Sequence, residues 1–209
     1  VTRLLVATRN GGKLRELAPL LEAAGFHPVT LDAAGIPETP HEEAIEMHDT
    51  FEANALAKAR HFHAISGLPA LADDSGLCVD ALGGRPGVRS RRWSGRHDLR
   101  GRALDEANNA TLLAALSPGM PRGAAYVCAA AFVDDEREVV RIGSVRGHIL
   151  DAARGGLGFG YDPLFFSDEL GRGFGEVTRE DKATVSHRAR AVSALLDALS
   201  GTSASANRT

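Results

Sequence analysis

A short aliphatic run, Arg3 to Thr8, breaks at Asn10-Gly11-Gly12 and gives way to Leu14, Leu17, Ala18 and Leu21 at helical spacing. The change of hydrophobic period across a glycine turn predicts strand, turn and helix. A chain that opens this way and keeps mixing both kinds of segment folds as an α/β body, with helices covering a sheet. No internal repeat and no convincing linker divides it, which favours a single α/β body.

The same reading continues along the chain. Gly25 ends the first helix, and Val29 to Leu31 begins a second strand. The acidic stretch Glu38 to Glu52 starts as a loop at Pro37 and Pro40. Thr50 is a helix N-cap, Phe51, Ala55, Ala59 and Phe62 form an apolar stripe, Asn54 and Lys58 share another face, and Gly67 closes the helix. Leu68 to Ala72 predicts a short strand ending in Asp73-Asp74-Ser75-Gly76, with a second apolar segment at Leu77 to Leu82 before a glycine turn. Ala103 to Leu116 predicts a helix. Ala124 to Val133 and Val139 to Gly147 predict two strands joined by Asp134 to Arg137. After a glycine-rich loop, Gly155 to Gly160, a last helix is expected from the Thr178/Asp181 cap through Leu199, stopped by Gly201. Residues 1–200 are expected to form one domain and 201–209 a flexible tail.

Composition sets the limits. The chain has 209 residues, 44% hydrophobic and 24% charged, which excludes disorder over most of its length, and a body of this size buries roughly 70% of its extended surface. The net charge of −3 gives no general attraction to nucleic acid or an anionic membrane, so an anionic ligand must be held locally. The longest apolar run, Ala124 to Val133, is about half of a membrane span. Without a signal-peptide pattern, and with Cys78 and Cys128 far apart in apolar contexts, the expected location is the cytoplasm and the expected state of both thiols reduced.

Five places carry polar groups that could do chemistry. The turn from Thr8 to Lys13 aims a helix N-terminus and a lysine at one spot, either a phosphate cradle or an ordinary connection with a solvated lysine; the spacing is not the Walker pattern. Asp73 and Asp74 terminate a strand, where alternation sends them to opposite faces unless the backbone kinks. With a carboxylate from the acidic segment, one of them would suit Mg2+, or the pair caps a solvated turn. Gly158 to Pro163 places Phe159, Tyr161 and Asp162 among glycines, to stack a purine or to fill the core. Lys182, Ser186, His187 and Arg188 make a cationic face near the start of the last helix, a ligand contact or the helix's wet side. The arginines from Arg85 to Arg102, with Trp93 among them, form either a nucleic-acid contact or a solvated, lid-like loop.

The blocks ATRNGGKLREL, TFEANALAKAR, ADDSGLCVDALGGRPGVRSRRWSG, GFGYDPLFF and TREDKATVSHRARA, in this order over almost the whole chain, resemble the inosine/xanthosine triphosphate pyrophosphatase family. The resemblance implies an elongated mixed sheet flanked by helices, with two lobes around a central cleft, in a cytoplasmic homodimer. It implies hydrolysis of aberrant purine nucleoside triphosphates (ITP, dITP, XTP) to the monophosphate and pyrophosphate. It assigns Thr8, Asn10, Lys13 and Lys58 to the phosphates, Asp74 to acid-base catalysis, Ser75 to substrate contact, and Glu46 with Asp74 to Mg2+. Phe159, Gly160, Tyr161, Asp162, Lys182, His187 and Arg188 would bind the base or close over the nucleotide. No nucleic acid or membrane partner is implied. Ala53 and Arg91 depart from the usual residues at positions without a chemical assignment. An Asp74 near the ordinary carboxylate value of about 3.9 would be a weak base, leaving much of the activation to the metal. The alternatives are a pyrophosphatase for other modified nucleotides and a non-catalytic nucleic-acid-binding protein.

Overall fold

The computed structural model describes residues 1–39 and 42–203. The strands are β1 (Thr2–Val6), β2 (Phe26–Thr30), β3 (Ala70–Val79), β4 (Gly123–Val133), β5 (Glu138–Ile149), β6 (Phe165–Ser167) and β7 (Arg172–Gly173). The helices are α1 (Gly11–Ala23), α2 (Glu42–Ile45), α3 (Phe51–Ser66), α4 (Gly101–Ala115), α5 (Arg179–Ala183) and α6 (His187–Ser203). The strands form one sheet in the order β2-β1-β3-β4-β5-β6-β7. It is mixed: β1 pairs in parallel with β2 and β3, while β6 pairs antiparallel with β5 and β7. This is the expected mixed sheet with flanking helices.

The chain divides into two compact units. The first comprises Val1–Asp74, Cys128–Gly143 and Arg188–Thr209, and the second Ser75–Val127 and Ser144–His187. In the first unit the central strands β3 and β4 are buried on both faces, which is why they read as nearly unbroken apolar runs. Leu4, Val6, Leu71, Cys128, Ala130 and Phe132 pack with Leu17 and Leu21 of α1 and with Ala191, Val192, Leu195 and Leu199 of α6. The intervening Leu5, Ala7, Ala70, Ala72, Ala129 and Ala131 pack with Ala55, Ala59 and Phe62 of α3. The second unit has its own core of Leu77, Val79, Leu112, Tyr126, Val145, Ile149, Phe165 and Phe174 among others.

Local signals placed most boundaries. Thr50 caps α3 by accepting from the Ala53 N–H at 3.2 Å, and Gly67 ends it at a φ of 66°, where glycine has no steric penalty. Three expectations change. β3 does not stop at Asp73 but continues to Val79, because both carboxylates find partners on its faces. The expected last helix is two, α5 and α6, with Thr184 to Ser186 outside helix; Thr178 does cap α5 through the Asp181 N–H. Gly201 lies within α6 rather than ending it, as a glycine in a helix costs only about 1 kcal/mol. Of the expected tail, 204–209 lies outside the described residues, as does the loop proline Pro40. No helix among the described residues is long and apolar enough to cross a membrane.

Candidate active site

The turn between β1 and α1 is built by its own side chains. Asn10 is the N-cap, its Oδ1 accepting from the backbone N–H groups of Gly12 at 2.8 Å and Lys13 at 3.2 Å. Thr8 Oγ1 accepts from the Asn10 N–H at 3.1 Å. Since Asn10 takes two of the first-turn amides, the positive character left here comes from the helix dipole and the Lys13 ammonium. Arg9, between them, bonds Asp32 and Glu42 at 2.9 Å each and donates to the Ile36 carbonyl at 3.0 Å. It ties the turn to the segment that carries α2 and Glu46.

Strand alternation separates the two aspartates. Asp73 is fully buried on the face of α1 and α6. Its Oδ2 lies 3.0 Å from Lys13 Nζ and 3.0 Å from Arg188 Nε. Burial by itself would raise its pKa, but Lys13, Arg188 and Lys58 together hold the carboxyl far below the usual carboxylate range. Asp74 faces α3, where Asn54 Nδ2 donates to its Oδ2 at 2.9 Å. Here burial prevails over the attraction of Lys13 and Lys58, with Asp73 adding repulsion, and the pKa is raised. Two neighbours in sequence thus have their pKa values moved in opposite directions. The ordinary carboxylate value assumed for Asp74 therefore does not hold, since burial raises it.

The lysines converge on this pair. Lys13 Nζ and Lys58 Nζ both donate to the Asp73 carbonyl at 3.2 Å, one reaching from α1 and the other from α3. Lys58 also pairs with Glu46, which brings that carboxylate to the same neighbourhood. Asn54, almost wholly buried, holds the approach of the Glu46 segment through His48: its Oδ1 accepts from the His48 N–H at 2.9 Å and its Nδ2 donates to the His48 carbonyl at 3.2 Å. Glu46 and Asp74 offer carboxylate oxygens, the hard donor type that Mg2+ takes alongside waters and substrate phosphates; among the described residues no group of three or more metal-ligating side chains gathers.

In the second unit the glycine-rich segment is organised by Asp162. This buried carboxylate accepts from the Phe159 N–H at 2.9 Å and pairs with Lys182 Nζ at 2.7 Å. Gly158 has a φ of +77°, and a Cβ there would collide with the Asp162 carboxylate; no other residue fits. The Lys182 ammonium lies 5.1 Å from the Phe159 ring centroid and 5.3 Å from that of Phe174. Tyr161 is buried and donates its hydroxyl to the Ser90 carbonyl at 2.7 Å; burial raises its pKa. The phenol therefore keeps its proton and acts as a strut, leaving Phe159 as the half-buried ring of the pair.

The structure thus brings Lys13, Lys58, Glu46 and Asp74 together in the first unit, with Thr8 and Asn10 building the turn from which Lys13 projects. Phe159, Asp162 and Lys182 meet in the second, and Ser75 follows Asp74 on β3. His187 and Arg188, adjacent in sequence, diverge. His187 stacks on Tyr126, ring centroids 4.6 Å apart and 7° from parallel, whereas Arg188 is buried in the first unit between Asp73 and Glu16. The expected common face of Lys182 and Ser186 is interrupted by the break between α5 and α6. Sequence reasoning missed Tyr126, whose hydroxyl lies 3.4 Å from Asp162 Oδ1, because inside an apolar run it reads as core. It also gave Asn54 no chemistry; a polar side chain facing the way of Lys58 on α3 was the available signal. In the arginine-rich segment, Arg96 pairs with Asp98 and Arg102 with Glu106, which neutralises part of its charge.

A mixed sheet carrying a capped strand-turn-helix, with two lysines meeting at the Asp73 carbonyl, defines an α/β protein with a polar site on its parallel strands. The chain belongs to the Ham1 family, whose model matches residues 4–198. It is 49% identical over 202 residues to a dITP/XTP pyrophosphatase of Geobacter sulfurreducens, covering 95% of this chain and 97% of the relative. A dITP/XTP pyrophosphatase of Mycobacterium tuberculosis is 48% identical over 205 residues, covering 95% and 96%. Among solved structures, a HAM1 protein from Coxiella burnetii superposes with a TM-score of 0.81 at 32% identity, over 96% of this chain and 100% of that one.

Proposed function

We propose that this protein hydrolyses ITP, dITP and XTP, with Mg2+, to the nucleoside monophosphate and pyrophosphate. The enzyme class, a nucleoside triphosphate pyrophosphatase that cleanses the nucleotide pool, follows from membership of the Ham1 family and the relatives that share about half of the sequence. The observation that carries the finer reading is the convergence of Lys13 and Lys58 on one carbonyl beside a desolvated Asp74. Two cations placed by two helices next to a carboxylate of raised pKa suit a polyphosphate and a water that must lose its proton.

In this reading Lys13, Lys58 and the N-terminus of α1 neutralise the phosphate oxygens, Asp74 takes the proton of the water that attacks the α-phosphorus, and pyrophosphate leaves. Glu46 and Asp74 would hold Mg2+, which when bound supplies charge neutralisation and a more acidic water. Phe159 offers a stacking face, and Lys182, fixed by Asp162, offers a buried donor to a purine oxo group. A fixed donor favours hypoxanthine and xanthine over adenine, whose exocyclic amine would leave it unpaired. The same reading gives His187 and Ser75 substrate contacts, and gives Arg188, held by Asp73, an indirect part in placing Lys13. It includes a homodimer and a cytoplasmic location, to which the two free cysteines are suited.

The test is pyrophosphate release from ITP, XTP, GTP and ATP with and without Mg2+. ITP and XTP are expected to be hydrolysed at least about a hundredfold more efficiently than ATP, with activity lost on chelation and restored by Mg2+. Equal turnover of ATP, or full activity in excess chelator, would overturn the reading.

A further inference from the structure

Helix α4 lies outside the motifs to which chemistry was assigned, yet two of its side chains reach the middle of the glycine-rich segment. The Gly160 N–H donates to Asp105 Oδ2 at 2.8 Å, and Asn109 Nδ2 donates to the Gly160 carbonyl at 3.0 Å. Residues four apart lie on one helix face, so both contacts come from a single rigid element. They act on different peptide planes. The N–H belongs to the peptide joining Phe159 to Gly160 and the carbonyl to the one joining Gly160 to Tyr161. Bonding both planes fixes φ and ψ at the one residue between them. That residue is a glycine with φ at +62°, the type with the most backbone freedom to lose.

Helix α4 is itself anchored. Asn108 Oδ1 accepts from the Ser94 N–H at 2.9 Å and its Nδ2 donates to the Arg91 carbonyl at 3.1 Å. The 3₁₀ turn Gly87–Arg92 in turn receives the Tyr161 hydroxyl at Ser90. The segment from Phe159 to Asp162 is therefore held within itself by Asp162, from below by Ser90 and from the side by α4. Without the α4 contacts, Gly160 is where it would bend.

We propose that Asp105 and Asn109 are positioning residues for base selection: by clamping the two peptide planes of Gly160 they hold Phe159 and Asp162, and through Asp162 the Lys182 ammonium, in the arrangement that distinguishes one purine from another. This rests on the reading of Phe159–Asp162 as the purine site. Neither side chain is among the residues assigned to the phosphates, and both bond Gly160, so their loss acts on recognition before turnover. A loosened segment lets the ammonium turn away from an amine and stay satisfied elsewhere, and selectivity falls because the penalty for an unpaired group is relieved.

The experiment compares kcat and KM for ITP and ATP in the wild type, Asp105→Ala/Asn109→Ala and Asp105→Asn, with melting temperatures alongside. The double variant is expected to lose about tenfold of the ITP-over-ATP preference in kcat/KM, mainly through KM for ITP. Asp105→Asn keeps an acceptor for the Gly160 N–H and should retain the preference within about twofold. A merely structural role would lower the melting temperature and depress both substrates alike, leaving the ratio unchanged, and that would overturn the inference. So would an Asp105→Asn protein as unselective as the double variant. Should the double variant fail to fold, Asn109→Ala alone is read the same way, with a loss of about threefold expected and an unchanged ratio overturning the inference. A wild-type enzyme without preference for ITP would overturn the purine reading and the inference with it; a selective wild type beside equally selective variants would overturn the inference alone.

Discussion

Asp74→Asn is expected to lower kcat for ITP about a thousandfold, the scale of a lost general base, and to leave the protein at least as stable as before. The two halves of this result have one cause. Burial raises the Asp74 pKa above its value in the unfolded chain, so ionising Asp74 costs the folded state more than the unfolded one. Its contribution to stability is present below the unfolded pKa and is lost as pH rises through the folded one; at neutral pH the charged carboxylate is a liability to the fold. An asparagine of the same shape removes the liability together with the base, the usual exchange between stability and activity at a site. Steady-state kinetics with saturating Mg2+ and thermal melts at neutral pH check both. Near-normal turnover would remove Asp74 from the mechanism.

The adjacent carboxylate behaves oppositely. Asp73→Asn is expected to cost about 3 kcal/mol or more at pH 7, because it leaves buried cations without their counter-charge. Lys13 and Arg188 both lie 3.0 Å from the same oxygen, and Arg188 also pairs with Glu16. The folded pKa of Asp73 is depressed, so its stabilisation is fully present above the unfolded value of about 3.9 and is lost as pH falls toward the folded one. Urea unfolding of the two proteins should therefore show a constant gap from neutral pH down to about 4 and a narrowing gap below. A gap under about 1 kcal/mol at pH 7 would mean that Asp73 carries no such load.

The opposite fates of these neighbours were partly legible in the sequence. Alternation along a strand separates successive side chains whatever their type, and that held through Asp73 and Asp74. The continuation of β3 was hidden because Asp-Asp-Ser-Gly has the composition of a turn. Only the partners supplied by α1, α3 and α6 let carboxylates sit inside a sheet. The β1–α1 turn was readable from its change of period, and Thr50 and Gly67 from cap chemistry. The break between α5 and α6 is marked by neither glycine nor proline, and its one local sign is Ser186, a common N-cap residue type, directly before α6. It is tertiary in origin: Lys182 before it is drawn to Asp162, and Val185, Ser186 and His187 are all buried. The Asp162 pocket was visible as glycines and aromatics, but the use of Tyr161 as a strut to Ser90 and of Tyr126 as a support for His187 depends on contacts distant in sequence.

The central claim is that water attacks the α-phosphorus and that pyrophosphate is the leaving group. Hydrolysis of ITP in water enriched in heavy oxygen, followed by mass spectrometry of the products, tests it in one step. The account predicts one heavy atom on the phosphate of IMP and none in the pyrophosphate. Label in the pyrophosphate with none in IMP, or orthophosphate as the first product, would contradict it.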